Sequence, residues 1–191
     1  MGAGRLERVL ALVRRHRPGL RLIDKRTLAA ARWLGWLLHP LAPDFADRTT
    51  TVIGDRVFLP RAPEEIDADQ LAATLCHELV HQLDQAAHPL FYLSYVLGPP
   101  LPVLRTARAD WERRAYAVDL MLAHHDRGER GLAHVLEWLV GVFDGPSYGW
   151  MWRGRDAARA YLDPVVAEIR SGALQRREPY RSILAAWTGA D

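Results

Sequence analysis

Five consecutive residues, His77-Glu78-Leu79-Val80-His81, constrain this chain more than any other stretch, because they read H-E-x-x-H. On an α-helix the two histidines fall one turn apart, about 40° round the axis, so both imidazoles can reach one ion. Two neutral imidazoles suit Zn²⁺, and Glu78 is then placed to act on a water held by that metal. A chain with 8 His in 191 residues produces this pattern by chance roughly 0.015 times. The motif therefore needs a helical setting and a third ligand.

The setting reads as helical. Asp67, with Gln70 three residues on, forms an N-cap with a Gln version of the capping box. From Ala68 to Ala86 there is no Gly or Pro, and Leu71, Leu75, Leu79 and Leu83 recur every four residues. Leu71, Leu75 and Val80 are expected in the core, with His77 and His81 facing a cleft. His88-Pro89 ends the helix. Cys76 points about 100° away from His77 and reads as a small buried apolar residue.

Elsewhere the composition is that of one ordinary globular domain, 49% hydrophobic and 25% charged, long enough to bury a substantial core. Net charge is only +2, from a basic set of 24 Arg and the single Lys25. The cluster Arg14, Arg15 and Arg17 is too small to argue for nucleic acid, which is not an expected partner. One cysteine excludes an intramolecular disulfide. No stretch reads as a secretion signal, and Pro99, Pro100 and Pro102 interrupt the longest apolar run, so no membrane-spanning helix is expected. The cytoplasm is the expected location. Oligomeric state is not readable.

Along the chain, a helix is expected over Arg5 to Arg15, with Leu6, Val9, Leu10 and Val13 on one face. Pro18-Gly19 breaks it. A second helix is expected from about Asp24 to Leu38, with Trp33, Leu34, Leu37 and Leu38 inward and Pro40 and Pro43 beyond it. Thr51-Val52-Ile53 and Arg56-Val57-Phe58-Leu59 flank Gly54-Asp55, a hairpin signal. That hairpin either covers one side of the core or offers a strand to an extended peptide. Pro89 to Thr106 is irregular, and Phe91, Tyr92 and Tyr95 in it could line a pocket, form a cover or pack as loop. Helices follow over Arg108 to His125, Ala133 to Val142 and Arg155 to Ile169, the last bent at Pro164. A Gly/aromatic loop, Gly145 to Trp152, precedes that last helix. The fold class is α+β, mostly helical, with a small β-hairpin or edge sheet packed beside the H-E-x-x-H helix.

For the third ligand the candidates are Glu112, Asp119, Asp84, His88 and Glu137. The metzincin arrangement fails, because the positions three and six after His81 hold Asp84 and Ala87. Glu112 fits better, 31 residues beyond His81 on a later helix. Ala115 is small enough for close helix approach, and Tyr116 and Asp119 share the face of Glu112.

With HELVH, an upstream edge strand and this E-x-x-A segment, the chain resembles the gluzincin class of zinc metallopeptidases over about Thr49 to Leu122. Their third zinc ligand is a Glu on a downstream helix. The resemblance implies a single zincin-like domain over 1–191, with its catalytic segment at about 49–122. It implies Zn²⁺ on His77, His81 and Glu112, and Glu78 as general base in the hydrolysis of peptide bonds, the expected substrates being proteins or peptides and the expected activity that of an endopeptidase. Thermolysin-like members carry an Asp four residues after the Glu ligand, where it orients a zinc histidine; here that position is Tyr116. The orienting role then falls to Asp119, Asp84 or a backbone carbonyl. An oxyanion donor could be Tyr116, His124, His125, Tyr148 or an Arg. Two other readings stand beside this one: a zincin-fold binding module or inactive homologue, and a SprT-like peptidase acting on nucleic-acid-associated protein.

Overall fold

A computed structural model describes residues 2–28, 50–91, 93–94, 107–145 and 154–190. The fold is α+β and mostly helical, with a three-stranded sheet. The backbone divides into two units, Met1–Ala86 and Ala87–Asp191. Among the described residues no helix is long and apolar enough to cross a membrane.

In the first unit, helix α1 (Gly2–His16) is the expected N-terminal helix, extended at both ends. It buries Val9, Leu12 and Val13, while Leu6 and Leu10 are half-buried. After the turn at Pro18-Gly19 the chain enters strand β1 (Arg21–Asp24). The helix expected to begin at Asp24 does not begin there. Asp24 ends the strand, and its carboxylate accepts from the Arg26 amide at 2.8 Å to cap a single 3-10 turn, Lys25–Thr27. Asp competes well for nearby backbone amides, which favours a short capped turn over helix continuation. The rest of that expected helix, including Trp33, Leu34, Leu37 and Leu38, lies outside the described residues.

Strands β2 (Thr51–Ile53) and β3 (Arg56–Leu59) form the expected hairpin. Gly54 sits at φ 58, a left-handed conformation that glycine adopts without steric cost. β1 adds in parallel on the other side of β3, pairing Leu22 with Val57 and Ile23 with Phe58, so the order is β1-β3-β2. Val52, Val57 and Leu59 are the buried strand residues. Helix α2 (Ala68–Ala87) follows and carries the motif. Asp67 caps it as expected: its Oδ1 accepts from the Asp69 and Gln70 amides, each at 3.0 Å.

In the second unit, two expected helices are one run, α3 (Ala107–Asp144), interrupted only at Gly128 (φ 61, ψ −153). A Cβ on Gly131 would lie 2.3 Å from the Ala123 carbonyl oxygen, so the chain passes too close to itself here for any side chain. Helix α4 (Arg155–Arg170) runs through Pro164 and packs on α3. Leu120, Met121, Leu132, Leu139 and Phe143 of α3, and Leu162 and Ile169 of α4, are core residues. A final helix, α5 (Tyr180–Thr188), had no expectation attached to it. It is tied to α3 by Tyr180, whose hydroxyl donates to the Arg114 carbonyl at 2.9 Å, and by Trp187, whose Nε1 donates to Asp126 at 3.0 Å. Of the irregular stretch 89–106, Phe91 is buried and its ring lies 5.3 Å from that of Trp111. Tyr92, Tyr95 and most of the Gly145 to Trp152 loop lie outside the described residues.

Candidate metal centre

Helix α2 buries two kinds of side chain. Leu71, Ala72, Leu75, Cys76, Leu79 and Val80 form its apolar side, while Glu78, His81, Gln82 and Asp84 are buried polar residues. His77 is half-buried. The rings of His77 and His81 lie edge-on, 5.1 Å apart between centroids, as one helical turn dictates. Burial, with a smaller contribution from the neighbouring His77, holds the His81 imidazole well below its ordinary pKa. It is therefore neutral at neutral pH, the form that binds metal.

The helix is held at a defined rotation by the hairpin. Gln82 donates from Nε2 to the Gly54 carbonyl at 2.9 Å. Gln85 accepts the Gly54 amide at 3.0 Å and donates to the Val52 carbonyl at 3.1 Å. Arg17 donates to the Gln82 carbonyl and forms an ion pair with Asp55 at 3.7 Å. Residues 82 and 85 thus lock one face of α2 to the turn, which fixes where positions 77, 78 and 81 must look. Sequence reasoning did not single out these two glutamines, and their i, i+3 spacing was the only available signal.

Lys25 was also missed. It is only 5% exposed, and its Nζ donates to Thr51 Oγ1 at 3.0 Å. Burial pushes its ammonium down to about 8, while the charge of Glu78 acts in the opposite direction.

Glu112 of α3 is 1% exposed. One ligand atom from each of His77, His81 and Glu112 lies within 4.8 Å of the others, the grouping of three metal-competent side chains found among the described residues. Asp84, Asp119, His88 and Glu137 are not in it. Asp84 is buried and Asp119 half-buried. His88 is exposed, with its ring 4.8 Å from that of Trp111. Glu137 pairs on the surface with Arg155 and Arg159.

Of the oxyanion candidates, Tyr116 is buried edge-on to Trp138 and Phe143, at 5.8 and 6.0 Å. His124 faces Glu129 at 3.3 Å and His125 faces Asp126 at 2.9 Å; Tyr148 is outside the described residues. A cavity of about 260 Å³ in the second unit, lined by Arg113, Arg114, Glu168 and Arg177 among others, contains none of the candidate ligands.

Two imidazoles and a carboxylate form a donor set suited to Zn²⁺, whereas Ca²⁺ and Mg²⁺ prefer oxygen throughout. Three protein ligands leave a tetrahedral ion one position for water or substrate. Neither a protein-family model, nor a curated protein, nor a solved structure matches this chain.

Proposed function

We propose that this protein is a zinc-dependent metallopeptidase of gluzincin type, an endopeptidase acting on proteins or peptides. The observation that carries this reading is the grouping of His77, His81 and Glu112 within 4.8 Å. Added to it is Glu78, between the two histidines in sequence and 6% exposed. Zn²⁺ on such a set supplies Lewis acidity, polarising a carbonyl and bringing the pKa of a bound water toward 7.

The chain's own contribution is the Glu78 carboxylate, which takes the proton of the attacking water and passes it to the leaving amine. His77 and His81 hold the site on a helix whose rotation is set by Gln82 and Gln85. A pure binding module has no use for a general base, so the retention of Glu78 favours the enzyme. The single Cys76, buried and in no disulfide, suits a reducing location such as the cytoplasm.

Metal analysis of the purified protein is expected to give about one Zn per chain, and a chelator to stop cleavage of an unfolded protein substrate. A folded protein that takes up no zinc overturns the reading. Glu112→Ala is expected to weaken zinc binding at least ~10-fold, the lower bound for losing even an outer partner of such a site. Metal and activity both retained in that variant remove Glu112 from the ligand set.

A further inference from the structure

The cavity of the second unit shares no residue with the candidate metal centre, and its walls have a chemistry of their own. It encloses about 260 Å³ between α3, α4 and the turn that leads into α5. That is just under the range of pockets that take drug-sized ligands, about 300–1,000 Å³, so its occupant is a small molecule or the end of a chain. Ala117, Val165 and Leu174 of its lining are buried and give it an apolar floor.

The rim is charged, and its charges do not balance. Three guanidiniums, Arg113, Arg114 and Arg177, meet two carboxylates, Glu168 and Glu178, a surplus of one positive charge. Glu178 is engaged by its own neighbours: it pairs with Arg181 at 2.7 Å and accepts the Ser182 amide at 3.4 Å. Arg113 is held in the wall, its guanidinium 4.3 Å from the centre of the Tyr161 ring and 3.6 Å from Asp110. Glu168 of α4 forms an ion pair with Arg177 from the turn. The backbone of Arg114 is fixed by Tyr180, whose hydroxyl donates to its carbonyl at 2.9 Å. Arginine keeps its proton at any working pH, so the surplus is permanent.

We infer that this cavity is a binding site for a small organic monocarboxylate with a short apolar body. The carboxylate lies against Arg114 and Arg177, and the body rests on Ala117, Val165 and Leu174. A guanidinium fork matches a carboxylate in shape as well as in charge. One surplus charge suits a monoanion, whereas a phosphate dianion would bring a second negative charge beside Glu168 and Glu178. A free carboxylic acid and the C-terminus of a peptide ending in an apolar residue share this chemistry.

The test uses the full chain without metal, in which a carboxylate has no zinc to bind. N-acetyl-leucine is expected to saturate one site with a Kd on the order of 1 mM, weak because few ligand atoms contribute, and to shift the methyl NMR signals of Val165 and Leu174. N-acetyl-leucine amide, which has the same body without the charge, and inorganic phosphate are each expected to bind at least about tenfold more weakly. Arg114 is exposed, and Arg114→Gln is expected to weaken the acid about tenfold, as loss of one charge-assisted hydrogen bond does. Glu168→Gln, which removes a rim carboxylate, is expected to tighten it.

Absence of saturation at about 10 mM acid, shifts confined to the surroundings of His77 and His81, or an amide or phosphate that binds as well as the acid each overturn the site. So does unchanged affinity in Arg114→Gln or, if that variant does not fold, in Arg177→Gln. A short peptide ending in leucine separates the two sources. Binding as tight as that of N-acetyl-leucine assigns the site to chain ends, and exclusion of the peptide assigns it to a free acid.

Discussion

Helices α2 and α4 are built from similar lengths of chain and solve opposite problems. α4 buries Ala158, Leu162, Val165, Val166 and Ile169, all apolar. Its charges stay on the surface, where Arg170 meets Glu129 at 2.7 Å and Arg155 and Arg159 meet Glu137. α2 places Glu78, His81, Gln82 and Asp84 out of water within seven residues. Buried polar groups destabilise a fold unless they are satisfied, and a helix meant only for packing does not collect them. The contrast teaches that α4 is explained by stability alone and α2 is not. Its surplus of buried polarity is what the proposed metal site would account for.

That contrast can be broken by substitution. Glu78→Gln is expected to reduce peptide hydrolysis by about 10²–10⁴-fold in a steady-state cleavage assay, while zinc content and thermal midpoint stay close to wild type. A variant that keeps its activity would make the buried carboxylate of α2 structural after all. Leu162→Ala in α4 is expected to behave in reverse. It should cost about 2–5 kcal/mol of stability in denaturant titration, through loss of burial and the cavity left behind, with zinc stoichiometry preserved.

The pH dependence sharpens the same comparison. His81 is neutral in the folded protein because its pKa lies well below the ordinary 6.5, whereas in the unfolded chain it protonates near that value. The unfolded state therefore binds an extra proton on acidification, so stability present above about pH 6.5 is lost as pH falls below it. Urea midpoints of the metal-free protein between pH 7 and 5 are expected to show this, and His81→Gln to flatten the slope. The smallest effect belongs to the surface of α4. Arg170→Ala removes a fully solvated partner of Glu129, and the thermal midpoint is expected to move within measurement error.

Much of α2 was legible because its signals are local. The Asp67 cap, the four-residue leucine spacing and the absence of breakers all lie within the helix, and the cap bonds are found where the residues predict. The hairpin was equally readable, since Gly54-Asp55 between two β-branched runs specifies a turn without help from distant chain. Strand β1 was not. Its four residues Arg-Leu-Ile-Asp carry no alternation, and they become a strand only by pairing with β3, more than thirty positions away in register Arg21↔Arg56. Lys25 was illegible for the same reason, because burial of a lysine is decided by what the fold brings to it. The break at Gly128 illustrates a milder case: a glycine was visible, but not that the helix resumes directly beyond it. Among the residues of the candidate site, Glu112 was reachable through spacing and resemblance, while Gln82 and Gln85 had only their helical face to speak for them.

The bonds from Gln82 and Gln85 to the hairpin have a consequence for how this part of the chain opens. A turn amide at a hairpin tip ordinarily exchanges its hydrogen with solvent quickly, because fraying exposes it. The Gly54 amide instead donates to Gln85, and the carbonyl beside it accepts from Gln82. Its exchange therefore requires α2 to let go. In native-state hydrogen exchange Gly54 is expected to group with the middle of the motif helix, the turn and the candidate metal-binding face opening and closing as one cooperative unit.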